Sequence, residues 1–71
     1  MSNTNPQSKI GKNIKRLRQA KGISQDRLSK LADLSLNTIV TVESGVNPNP
    51  TIETLTKIAK ALEIRVDDLL N

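Results

Sequence analysis

The residues of this chain best able to do chemistry lie in Ser24–Gly45, SQDRLSKLADLSLNTIVTVESG. At about 100° per residue, Leu36, Asn37, Val40, Thr41 and Ser44 fall on one side of a short helix. Thr38, Ile39 and Val42 fall on the other. An outward asparagine can bond both the N6 and N7 positions of adenine, and an outward Leu or Val can pack on the thymine methyl group. Thr41 and Ser44 can reach bases or phosphates. Helix starts at Ser24 and Ser35 leave backbone N–H groups free, which favour phosphate oxygens. Gln25 is placed to add a side-chain contact at the first of them. Asn47 and Asn49, in the stiff polar loop VNPNP, are candidates to clamp a nucleic-acid backbone. Read differently, the apolar Leu36 and Val40 form a protein-contact surface.

Other chemistries are poorly served. The sequence contains no His, Cys, Tyr, Trp or Phe. The commonest general base and metal ligand is therefore missing, as are disulfides and thiolate zinc sites. No glycine-rich phosphate loop or convincing carboxylate constellation is present, so an enzyme, a metal site and a cofactor are not expected. Asp67 and Asp68 read as acids complementing a helix dipole. Single-strand binding is disfavoured without aromatic platforms for stacking bases.

Five helices are predicted to position these residues. The first runs from about Lys9 to Lys21, with Ile10, Ile14 and Leu17 as its buried stripe and Gly22 at its end. The second starts at the N-cap Ser24, with Ile23 and Leu28 placed as a hydrophobic staple, and ends near Ala32. The third repeats that start with Ser35 as cap and Leu34 and Ile39 as the staple pair, and Gly45 closes it. The fourth, from about Thr51 to Leu62, carries the stripe Ile52, Leu55, Ile58, Ala59 and Leu62. A short fifth helix is predicted near Val66–Leu70.

Seventy-one residues with 35% hydrophobic content and no aromatics make one small domain with an aliphatic core. Residues 1–8 are expected to be a disordered tail and 9–71 the domain. The charge is uneven. Residues 1–30 hold eight Lys or Arg against one acid, and residues 31–71 hold three against six. A basic half suits a polyanion partner or, more plainly, a solvated helix face. The first residues, MSNTNPQS, do not read as a signal peptide. No stretch approaches the roughly 18–20 apolar residues of a membrane span, so the expected location is the cytoplasm, with no membrane partner.

Three blocks, IGKNIKRLRQAKGISQDRLSKLA, LSLNTIVTVESG and NPTIETLTKIAKALEIRVDDLL, occur in the order and spacing of a known family. Over Ile10–Leu70 the chain resembles the phage-repressor and Cro-like helix-turn-helix family, which includes small bacterial regulators, restriction-modification controller proteins and some antitoxins. The resemblance implies an all-α, compact bundle of five helices, the lambda-repressor-like DNA-binding domain, with the third helix in the major groove, and a prokaryotic or phage origin. By position, Leu36, Asn37, Val40 and Thr41 would face bases, and Gln25 would touch phosphate alongside Ser24, Ser35, Ser44, Asn47 and Asn49. Arg18 and Glu43 match a pair that bridges the first helix to the end of the third. Three departures concern structure: Ser29 replaces a small apolar residue, Asp33 the usual turn glycine, and Arg65 a Ser-like cap. Ser29 can bond back to a helix carbonyl, and Asp tolerates the left-handed turn position. A fourth, Leu36, Val40 and Thr41 in place of Arg, Gln or Ser, bears on specificity and not on the fold.

Such proteins bind as twofold dimers on half-sites about one helical turn apart. Ile64, Val66, Leu69 and Leu70 supply more apolar residues than one short helix needs: some must fill the core under the fourth helix, and the remainder are the candidates for a homodimer interface, unless all four are core. The expected partners are double-stranded DNA, a second copy, and, on the alternative reading as an antitoxin or adaptor, a protein from a neighbouring gene. No small-molecule ligand is expected in so short a chain.

Overall fold

In a computed structural model, which describes residues 6–71, five helices follow one another: α1 (Pro6–Ala20), α2 (Gln25–Ala32), α3 (Leu36–Ser44), α4 (Ile52–Leu62) and α5 (Val66–Leu70). No strand occurs among the described residues, so the all-α five-helix architecture holds. α1 starts earlier than its apolar stripe predicts. Of the expected tail, residues 6–8 form its first turn, and residues 1–5 lie outside the described residues. Pro6 suits the first helical position because the N–H it lacks would have had no partner there.

The helix starts follow the caps read from sequence. Ser24 Oγ accepts from the Arg27 amide at 3.0 Å and Ser35 Oγ from the Thr38 amide at 3.1 Å. Thr51 Oγ1 accepts from the Thr54 amide at 3.1 Å, which makes Thr51 the cap of α4. At α5, Arg65 offers no oxygen. Instead the Asp68 carboxylate reaches back to accept the Arg65 amide at 3.0 Å, one half of a capping box.

Three helix ends share one device. After α1, α2 and α4 the chain turns through a left-handed residue: Gly22 (φ 71°), Asp33 (φ 57°) and Glu63 (φ 60°). The next amide then reaches back to the helix: Ile23 to the Arg18 carbonyl, Leu34 to Ser29 and Ile64 to Ala59. This is the Schellman arrangement, in which an apolar residue after the turn folds back onto the bundle. Ile23, Leu34 and Ile64 all pack against the core. α3 ends differently. Gly45 (φ 85°) turns the chain, but the Val46 amide bonds to Ser44 Oγ at 3.3 Å and the Val46 side chain stands out in solvent.

Ile14, Leu28, Ile39, Ile58, Leu62 and Leu69 are completely buried, one or more from every helix. α1 packs on α3 and α5, α2 on α3 and α4, and α4 on α5. Each such aliphatic side chain contributes about 1.5–3 kcal/mol when removed from water. Leu69 is thereby excluded from the dimer interface proposed for it: its side chain fills the space under α1 and α4 and presents nothing outward. Ile64 and Val66 are half-buried against the same core, whereas Leu70 is exposed. Among the described residues no helix is long and apolar enough to cross a membrane.

Candidate nucleic-acid interface

The α2–turn–α3 unit is held by its inner faces, leaving its outer strip free. Leu28 and Ser29 of α2 and Ile39 and Val42 of α3 point inward. Ser29 is 3% exposed, and its hydroxyl donates to the Asp26 carbonyl at 2.7 Å. Its polarity is thereby satisfied inside its own helix. On the opposite side of α3, Leu36 is 44% and Val40 39% exposed, with Asn37 also exposed between them and Thr41 half-buried. Helical periodicity alone separates these two faces.

An ion pair fixes the far end of α3. Arg18 Nε and Nη2 donate to Glu43 Oε2 and Oε1 at 2.6 and 3.1 Å, a two-pronged contact. The third arm of the guanidinium, Nη1, donates to the Ile23 carbonyl at 2.8 Å. Gln25 Nε2 adds a bond to Glu43 Oε1 at 3.0 Å. One carboxylate thus joins α1, the start of α2 and the end of α3, and its side chain is only 3% exposed. Among the described residues the second N–H and the carbonyl oxygen of Gln25 have no partner, and the bond to Glu43 holds the side chain at the start of α2.

Gly11 allows α1 to approach this end of α3. A Cβ placed there would lie 2.5 Å from the Glu43 carbonyl oxygen and 2.6 Å from that of Val42. Both are backbone atoms, so no side-chain rotation could make room. Asn13 ties α1 to the opposite end of the chain: it is 9% exposed and its Nδ2 donates to the Leu69 carbonyl at 2.9 Å. Sequence reading missed both residues. A glycine inside an otherwise good helix and an asparagine one residue before the buried Ile14 were the available signals.

The hydroxyls of the interface are less free than their types suggest. Thr41 Oγ1 donates back to the Asn37 and Thr38 carbonyls at 2.9 and 3.2 Å. Ser44 Oγ donates to the Thr41 carbonyl at 3.2 Å while accepting the Val46 amide. A phosphate bound by Ser44 would have to displace that bond. Ser24 and Ser35 accept from cap amides, and Ser35 Oγ also lies 2.8 Å from Thr38 Oγ1. Asn47 Oδ1 accepts the Asn49 amide at 3.3 Å and Asn49 itself is exposed. Lys12, Lys15 and Arg16 are exposed along α1, while Lys21 is bonded to Glu63 at 2.8 Å.

Comparison with known proteins points the same way. A protein-family model described as helix-turn-helix matches residues 14–69. The HTH-type transcriptional regulator SinR of Bacillus licheniformis is 34% identical over 62 residues, covering 87% of this chain and 56% of SinR. SinR of Bacillus subtilis (strain 168) is 32% identical over the same coverage. The chain thus spans about half the length of these curated relatives. A crystal structure of the restriction-modification controller protein C.AhdI from Aeromonas hydrophila superposes with a TM-score of 0.85 at 35% identity, covering 89% of this chain and 94% of that one.

Proposed function

This chain belongs to the helix-turn-helix family, of the Cro and lambda-repressor type, and from that premise we propose that it binds double-stranded DNA as a transcriptional regulator. α3 would lie in the major groove with Leu36, Asn37, Val40 and Thr41 toward the bases. The observation that carries this reading is the exposed strip Leu36–Asn37–Val40 on a helix whose inner face and far end are fixed by the core and the Arg18–Glu43 pair. Ser24, Gln25, Ser35, Asn47 and Asn49 would hold phosphates, and Gln25 is already oriented by Glu43. Ser44 would join them only by giving up its helix bond.

One helix reads few base pairs, so a twofold dimer on a palindromic site completes the proposal. Exposed Leu70, with the half-buried Ile64 and Val66, is the candidate contact. Sedimentation at micromolar concentration without DNA tests it: a monomer throughout rules out a preformed dimer.

A second reading uses the same surface. Leu36 and Val40 are large apolar groups in solvent, which also suits a protein partner such as an antitoxin's toxin. Salt separates the two readings, since DNA binding falls steeply with ionic strength and an apolar protein contact does not. The deciding experiment is a titration of labelled duplex from the upstream region of its own gene with excess unrelated duplex present. Binding that survives the competitor supports a specific regulator; binding that vanishes refutes specificity for that site.

A further inference from the structure

We infer that Leu36 and Val40 of the reading helix distinguish pyrimidines by the methyl group on C5 and are blind to the O4 or N4 group beside it. At a position facing either residue, cytosine methylated at C5 then binds better than unmodified cytosine, as thymine does better than uracil. The inference rests on the DNA-binding reading above and specifies what its recognition surface sees.

The argument comes from what the outer strip of α3 can and cannot offer. Leu36 and Val40 stand one turn apart, 44% and 39% exposed, and contain only aliphatic carbon beyond the backbone. The neighbouring hydroxyls are turned inward. Thr41 gives its proton to the Asn37 and Thr38 carbonyls, and Ser44 gives its proton to the Thr41 carbonyl. Of the four residues Leu36, Asn37, Val40 and Thr41, Asn37 is the one with a side-chain donor that has no partner among the described residues. In the major groove thymine shows an O4 acceptor and a C5 methyl, and cytosine shows an N4 donor. An aliphatic side chain can neither donate to O4 nor accept from N4. Against Leu36 or Val40 the two bases differ chiefly in whether a methyl is there to be buried. One buried methyl corresponds to about a fourfold change in affinity.

Two base changes isolate that group. Replacing a T·A pair by U·A removes only the methyl, and replacing C·G by 5-methyl-C·G adds only the methyl. The full chain is first used to select a best duplex from a randomised pool, and each half-site position is then changed in both ways. At one or two positions per half-site, U should bind about fourfold weaker than T, and 5-methyl-C about fourfold tighter than C. Changing both halves of a palindrome should multiply the effect. Leu36→Ala and Val40→Ala, both at exposed positions, should each abolish one of these differences, whereas Asn37→Ala should leave them intact. Equal affinity for T and U at every position, or for C and 5-methyl-C wherever U is discriminated, overturns the inference while leaving DNA binding standing. So does methyl discrimination that persists in both alanine variants. Failure of the chain to select any duplex overturns the DNA-binding reading, and this inference with it.

Discussion

Removing the Glu43 carboxylate should destabilise the fold far more than deletion of an ordinary surface acid. In Glu43→Ala, Arg18 keeps its bond to the Ile23 carbonyl but loses both bonds to the carboxylate, and its side chain is 10% exposed. Gln25 loses its internal acceptor at the same time. Breaking one side of a buried pair costs about 3–5 kcal/mol, because the remaining charge is stranded away from water. A domain of this length has about 4–11 kcal/mol of total stability at 0.05–0.15 kcal/mol per residue. The variant should lose at least a quarter of that, with a melting temperature lower by about 12 °C or more. Urea titration followed by helical circular dichroism measures the loss directly. The double replacement Arg18→Met with Glu43→Leu should recover most of it, since well-packed apolar groups often match or exceed a buried pair. A loss in Glu43→Ala below about 1 kcal/mol, the value of an exposed ion pair, would refute the reasoning. So would a double variant as unstable as the single one.

Three further outcomes are expected. Gly11→Ala should destabilise by about 1–3 kcal/mol through overpacking against the α3 carbonyls; helix propensity alone predicts a gain of up to about 1 kcal/mol, so the sign of the change in a denaturation curve decides between them. The Lys21 ammonium, by hydrogen bond and charge, holds the Glu63 carboxyl below the usual glutamate range. A lowered folded-state pKa adds stability above the unfolded pKa, and that stability is lost as pH falls through the folded value. In Lys21→Gln an NMR titration should therefore show Glu63 moving up, and an unchanged midpoint would mean that the bridge is not formed in solution. On duplex DNA, Asn37→Ala should lower affinity for the best site by about 1–3 kcal/mol and relax preference at one base pair, whereas Gln25→Ala should weaken all sequences alike; the reverse pattern in competition titrations would exchange their roles.

The fold was largely legible because its signals are local. Ser24, Ser35 and Gly45 announce helix ends through their own side chains or lack of one, and the period of Ile52, Leu55, Ile58, Ala59 and Leu62 marks a buried face without reference to any partner. The outer strip of α3 was legible for the same reason. What escaped depends on residues far away in the chain. Asn13 is explained only by a carbonyl 56 positions later, and Gly11 only by the carbonyls of Val42 and Glu43. Which of Ile64, Val66, Leu69 and Leu70 fill the core is likewise not written in their spacing: Leu69 is completely buried because α5 packs on both α1 and α4. Glu63 in a left-handed turn carries no residue-type signal; its place follows from the apolar Ile64 that has to fold back behind it.

The division of α3 into an anchored face and a free strip has a consequence for diversification. Leu36, Asn37 and Val40 are exposed, and the Thr41 hydroxyl bonds only to carbonyls of its own helix. Substitutions there, away from the core and the ion pair, should each move stability by only about 0.5 kcal/mol. If these four positions read bases as proposed, recognition and folding are inherited through nearly separate sets of positions. Variants rewritten at these four sites would melt together while answering to different operators, so that several could serve in one cell without crosstalk.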